Sequence, residues 1–266
     1  MTKHTDRSLW VTTLLGLVCA STLTACQNTT ANHTNIAPVT ASERVADEGT
    51  VVAAPPTDLA AIADADAVIR DVAAPSVWVR PSVTHEEESA IAGDTLVYGD
   101  TIRTQGEGLA EVDLVSGLSF RIGGEAALTL QPDNQLDLQA GQMIVWVEPG
   151  KQVPARIVTP VGIAGLRGTT LFISVPEDDT EAVSFLAWEG TIAIQVAEDA
   201  EAITLQSGEE LSVRPGERDV ANLRSRVRRL NRREIRQRRR RSNLLNRFQR
   251  SLPTLNEIEA TLEAAP

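Results

Sequence analysis

The side chains with the clearest chemical potential are concentrated in one stretch. Between Arg224 and Arg250 lie thirteen of the 25 Lys and Arg residues and a single acid, Glu234, although the chain as a whole has a formal charge of −11. Guanidinium groups at this density suit a multivalent anionic surface: lipid headgroups, an envelope polysaccharide or an acidic protein face. The residues in question are Arg228, Arg229, Arg232, Arg233, Arg236, Arg238, Arg239, Arg240 and Arg241. Each cation near an anionic membrane contributes about 1 kcal/mol. The competing reading is a helix laid on the chain's own acidic surface.

Other constellations point to structure before catalysis. Two cysteines and three histidines (His4, His33, His85) leave no Cys/His metal cluster and no disulfide framework. His85-Glu86-Glu87-Glu88 is one imidazole beside a solvated acidic run, with no second ligand at fixed geometry. Ile163-Ala164-Gly165-Leu166-Arg167-Gly168 is Gly-rich but lacks a phosphate-loop lysine. Glu177, Asp178 and Asp179 suit a charged hairpin tip. Asp100 and Glu111 could form a glycosidase-like pair, but strand alternation places Glu111 on the solvent face. Trp78, Trp146 and Trp188 could stack sugars, yet in a chain that is 3% aromatic they are more naturally packing residues. No enzyme, cofactor or metal is expected.

The N-terminus reads as an address. Lys3 and Arg7 precede an apolar run from Leu9 to Ala20, too short to span a bilayer and suited to a signal peptide. It ends in Leu23-Thr24-Ala25-Cys26, which resembles the bacterial lipobox, so residues 1–25 are expected to be removed and Cys26 lipidated. Gln27, rather than an acid, after the cysteine leans towards the outer membrane, on the periplasmic side of the envelope. Export would keep the basic arm away from nucleic acid.

Residues 26–75 are rich in Ala, Thr, Asn, Pro and acids, and read as a flexible tether, with a short helix possible between Thr57 and Asp71. From 76 to 218 short alternating runs are separated by turn residues, the mark of an all-β domain of about 10–12 strands. Ala110, Val112 and Leu114 turn at Ser116-Gly117 into Leu118, Phe120 and Ile122, and Leu128 and Leu130 turn at Pro132-Asp133-Asn134 into Leu136 and Leu138. Later strands are expected at 143–147, 156–159, 169–175, 182–188, 191–196, 202–205 and 210–213. Leu-x-x-Gly-polar recurs at Leu96, Leu138 and Leu205, each Gly a candidate for positive φ in a turn into the next strand. The irregular spacing favours a twisted sandwich or roll over a β-helix.

Several elements then follow in a recognisable order: Gly99-Asp100-Thr101-Ile102-Arg103-Thr104, Ala110 to Leu114, Val158-Thr159-Pro160-Val161, Arg167-Gly168-Thr169-Thr170-Leu171-Phe172, Glu189-Gly190 and Gly208-Glu209. This set resembles the FecR domain. The resemblance implies a periplasmic β-domain of the kind found in regulators that pass a signal from an outer-membrane transporter to a cytoplasmic sigma factor. Those regulators carry a sigma-binding region ahead of a membrane helix, where this chain has eight residues before its apolar run. An Arg-rich arm stands where their C-terminal lobe would be.

Residues 219–252 lack Gly and have no Pro, so the arm is expected to be one amphipathic helix from Asn222 to Arg250, about 28 residues long, followed by a short acidic helix or tail at 253–266. The expectation is a non-enzymatic envelope lipoprotein acting as a binding or scaffolding module. A signal-transducing regulator is the alternative.

Overall fold

The computed structural model describes residues 65–265. The signal segment, Cys26 and the tether before residue 65 lie outside them.

Alternating apolar residues form one hydrogen-bonded sheet. Its strands are β1 (Ala67–Ala74), β2 (Val77–Arg80), β3 (Glu88–Ser89), β4 (Thr95–Leu96), β5 (Thr101–Thr104), β6 (Leu109–Leu114), β7 (Leu118–Gln131) and β8 (Gln135–Val147). They continue as β9 (Pro154–Thr159), β10 (Gly162–Arg167), β11 (Thr170–Val175), β12 (Val183–Glu189), β13 (Thr191–Gln195), β14 (Ile203–Gln206), β15 (Glu209–Val213) and β16 (Arg228–Arg229). The main path is β14-β13-β10-β9-β8-β11-β12-β15-β16, with β7 also on β8 and the first six strands joined through β7. Among the described residues only β8 and β9 pair in parallel, over 135–137 and 156–158.

Both expected hairpins are present. Ala110 faces Ile122 across a turn at Gly117 (φ +92°), and Leu130 faces Leu136 across Asp133 and Asn134, both with positive φ. The inward residues of strands far apart on the path, Ile69 of β1 and Leu205 of β14 among them, join one aliphatic cluster with Ile102, Phe120, Val145 and Leu171. The sheet therefore coils around its core as a roll. That core matches the composition, since aliphatic side chains do what few rings cannot.

Three expectations are corrected. β1 lies inside the stretch read as tether and pairs with β6, so residues 67–74 belong to the sheet, and residues 67–71 of the possible helix are strand. Gly141 does not end a strand: β8 runs through it. Its φ of +87° falls where the β7–β8 register shifts, and a Cβ there would lie 2.3 Å from the Ala126 Cα. Glycine permits this bulge because no side chain has to fit.

The third correction is the arm. In place of one helix it is α1 (Val220–Ser225), α2 (Arg232–Arg241) and α3 (Asn243–Asn246), followed by α4 (Leu255–Ala264). Between α1 and α2 the chain extends so that Arg228 and Arg229 pair with Glu210 and Glu209. Asn231 restarts the helix through a reciprocal capping box with Glu234. Ser242 then ends α2 and caps α3 by accepting from the Leu245 N–H. A single straight helix offers one apolar stripe. The broken path turns Leu230, Ile235, Leu244, Leu245, Phe248 and Leu252 onto the sheet, with Ile258 of α4.

Those residues cover Leu109, Ile144, Trp146, Leu186 and Trp188 on the sheet's outer face. Residues 143–147 of β8 and 185–188 of β12 are therefore buried on both sides. β11 separates the two environments within one dipeptide: Leu171 is fully enclosed in the main core, whereas Phe172 is half-buried against the arm. Leu171→Ala should cost about 2–5 kcal/mol, and Phe172→Ala less, because Phe172 keeps solvent contact in the native state. Urea unfolding of both variants checks the order.

Candidate functional site

Arg121 lies on β7 between the inward-facing Phe120 and Ile122, so it projects onto the outer face, directly opposite Glu111 of β6. Its Nε donates to Glu111 Oε2 at 2.7 Å, and both side chains are 0% exposed. Glu111 is thus not on a solvent face, because the arm covers it. Arg121 Nη1 donates to the Leu244 carbonyl at 2.9 Å and Nη2 to the Arg250 carbonyl at 2.5 Å. The guanidinium carbon lies 4.3 Å from the Phe248 ring centre and 5.6 Å from that of Trp146. Burial lowers the proton affinity of Arg121 despite the adjacent Glu111. Arginine's high intrinsic value keeps it charged.

Arg250 completes the cluster, donating to Glu111 and, at 3.1 Å, to Asp113. Burial opposes ionisation of Asp113, but hydrogen bonds from Ser119 and Arg70 and the charge of Arg250 outweigh it, holding this carboxyl below the usual range. Its stabilising contribution is present at neutral pH and is lost as pH falls through that lowered value. Glu189 shifts the other way, raised by burial and by the nearby Glu257 of α4.

The arm's arginines divide between these contacts and solvent. Arg228 pairs with Glu210 (3.0 Å) and Glu234 (2.6 Å), Arg238 with Glu210 (2.5 Å), and Arg239 with Glu259 (2.8 Å). Arg229 donates to the Ser207 carbonyl at 3.2 Å. These members of the expected docking set are committed to the protein's own surface. Ile235 is the buried residue of α2, and Arg232, Arg233, Arg236 and Arg240 are exposed. Arg232, Arg236 and Arg240 are spaced i, i+4 and i+8, a row in which like charges repel. Among the described residues none of these four has a carboxylate partner, although Arg232 donates to the Glu263 carbonyl. Arg241 is also exposed.

The motif residues are structural. Asp100 accepts from the Ser82 and Val97 N–H groups at 2.8 and 3.0 Å and, with Gly99 (φ +95°), sets a tight turn. Thr159 donates to the Gly162 carbonyl at 2.8 Å across the β9–β10 turn at Pro160. Arg167 donates to Gln152 at 2.9 Å beside Gly168 (φ +68°). Gly190 (φ +82°) lies so close to Thr169 that a Cβ would meet Thr169 Cγ2 at 2.4 Å. Gly208 (φ +77°) has a second role, since its carbonyl accepts from the Leu230 N–H at 2.9 Å and so seats the arm. Two buried polar atoms have no partner among the described residues, Thr169 Oγ1 and Trp188 Nε1. Trp146 and Trp188 pack beneath the arm and Trp78 is half-buried on β2, so the three do not form a platform. Asp178 accepts from the Thr180 N–H and hydroxyl at the expected hairpin tip. Asp100 and Glu111 are each engaged by structural partners.

Sequence reasoning missed Arg121, whose polar neighbours on alternate positions of β7 look like a solvent face. The signal available was the unbroken apolar run Met143 to Val147, which is too apolar for a strand with one wet side. Removing Arg121 would leave Glu111 buried with only Arg250 and would free two arm carbonyls. Arg121→Met should therefore destabilise the protein by about 3–5 kcal/mol. It should also open the arm to trypsin, giving early cleavage between residues 224 and 250. Urea midpoints and limited proteolysis measure the two effects.

Residues 100–193 match the family model described as FecR protein. No curated protein matches the chain. Two crystal structures of a proposed anti-sigma factor from Parabacteroides distasonis ATCC 8503 are similar at 15% and 14% identity, with TM-scores of 0.37 and 0.38. Each match covers 44% of this chain and 56% or 55% of the other, so the similarity spans about half of those proteins. The turns built on Asp100, Thr159, Gly168 and Gly190 all lie within residues 100–193, the stretch that the FecR family model matches.

Proposed function

We propose that the chain is a non-enzymatic cell-envelope lipoprotein, anchored through Cys26, whose FecR domain is a binding or scaffolding module held against an anionic envelope surface by the outward arginines of α2. The observation that carries this reading is the row Arg232, Arg236 and Arg240, with Arg233 beside it, exposed and without carboxylate partners among the described residues. Most of the arm's other cations, among them Arg228, Arg238, Arg247 and Arg250, pair with carboxylates of the protein itself. A row of uncompensated like charges on a folded helix is disfavoured in isolation and relieved by an anionic surface. The second reading, a signal-transducing regulator acting with a transporter or sigma factor, rests on the FecR match. Recovery of either partner in an envelope pull-down would favour it.

The docking test uses the mature chain without its lipid. It should co-sediment with anionic vesicles at low salt and release steeply as salt rises, since screening acts within roughly 8–10 Å at physiological ionic strength. Replacing Arg232, Arg233, Arg236 and Arg240 with Gln should weaken binding at every salt concentration while leaving the urea midpoint nearly unchanged. Equal binding by that variant would place the contact elsewhere.

The anchor is tested in the cell. Cys26→Ala should release the mature protein from the membrane or leave an unprocessed precursor, read by fractionation and mass. Unchanged retention at normal mature size would count against lipidation.

A further inference from the structure

A cleft of about 410 Å³ lies between α2 and the outer face of β11 and β12, apart from the outward arginine row. That volume is within the range of small-molecule sites. Phe172, Leu186 and Trp188 give it an apolar, largely aromatic lining, and Glu234, Arg238 and Arg241 are its charged groups. Two of those charges are answered inside the fold: Glu234 pairs with Arg228 at 2.6 Å and Arg238 with Glu210 at 2.5 Å. Arg241 is not. Its partner is an amide, that of Gln237, which in the orientation satisfying both groups accepts from Nη1 at 2.9 Å. The cleft thus combines an apolar lining with one guanidinium that has no counter-ion among the described residues. The Trp188 ring contributes to that lining while its indole N–H has no hydrogen-bond acceptor among the described residues.

We propose that this cleft binds a small aromatic carboxylate, one per chain. The carboxylate forms a charge-assisted, two-pronged contact with Arg241, displacing the Gln237 amide, and the ring lies against Trp188 and Phe172. A single negative charge suffices, because the other charged groups of the cleft are already paired. A polyanion gains little there. The site is independent of the docking row: occupancy neutralises Arg241 and leaves Arg232, Arg236 and Arg240 exposed.

The probe is 2-naphthoate, with 2-naphthamide as its neutral counterpart, titrated calorimetrically into the unlipidated mature chain. The acid should saturate one site and bind at least about ten-fold more tightly than the amide, the equivalent of one good ionic contact. Arg241→Gln should bring the acid down to the affinity of the amide and leave the amide unchanged. Gln142→Trp fills the cleft from an exposed position on β8 and should abolish binding of both. Far-UV circular dichroism of each variant confirms that the fold is intact. Absence of saturable binding of the acid, equal affinity for acid and amide, or parental affinity in either variant would overturn the proposal.

Discussion

The arrangement of this protein depends on a fully buried guanidinium. Taking Arg121 and Glu111 out of water costs several kcal/mol per ion, and their mutual attraction offsets this only if the remaining hydrogen-bonding capacity is also met. Here it is met from two directions. Glu111 comes from the neighbouring strand, whereas the Leu244 and Arg250 carbonyls and the Phe248 ring come from the arm. Arg121 is satisfied only when residues 244–250 lie over β7 in one register. The apolar surfaces of Trp146, Leu186 and Trp188 require a cover, but apolar burial is non-directional and would accept several. The ion cluster selects one.

That selection explains what could and could not be read from the sequence. The inward face was legible, because hairpins at Gly117 and at Asp133-Asn134 join strands whose alternate residues are apolar, and period-two patterning needs no knowledge of distant contacts. The outer face was not. Ser119, Arg121 and Gly123 alternate as a wet surface would, and only residues more than a hundred positions away make that surface dry. β1 was hidden for a related reason. Its Ala-rich sequence resembles the preceding tether, and its place in the sheet follows from pairing with β6.

The broken arm is a second case of tertiary contact overriding local preference. Arginine is a good helix former, and a stretch without Gly or Pro reads as continuous helix. Yet Arg228 and Arg229 are extended, because Glu210 and Glu209 stand opposite them at the end of the sheet and Leu230 is drawn into the second cluster. The restart at Asn231 was visible locally, since Asn followed three residues later by Glu is a capping box. The same Glu234 is the single acid of the basic stretch, and it caps α2 while pairing with Arg228.

The division of the arginines also shows how a chain of net charge −11 can present a cationic surface. Glu107, Glu111, Asp113, Glu210 and Glu217 of the domain and Glu259 of α4 are held against arm arginines, so these acids neutralise the inner side of the arm and leave its outer side positive. Salt restricts electrostatic attraction to roughly 8–10 Å, so a docking surface senses the nearest charges and not the chain's total. Net charge therefore does not decide against an anionic partner. What matters is which guanidinium groups the fold leaves unanswered, and that depends on the Arg121 cluster, which holds the arm in the register that turns Arg232, Arg236 and Arg240 outward.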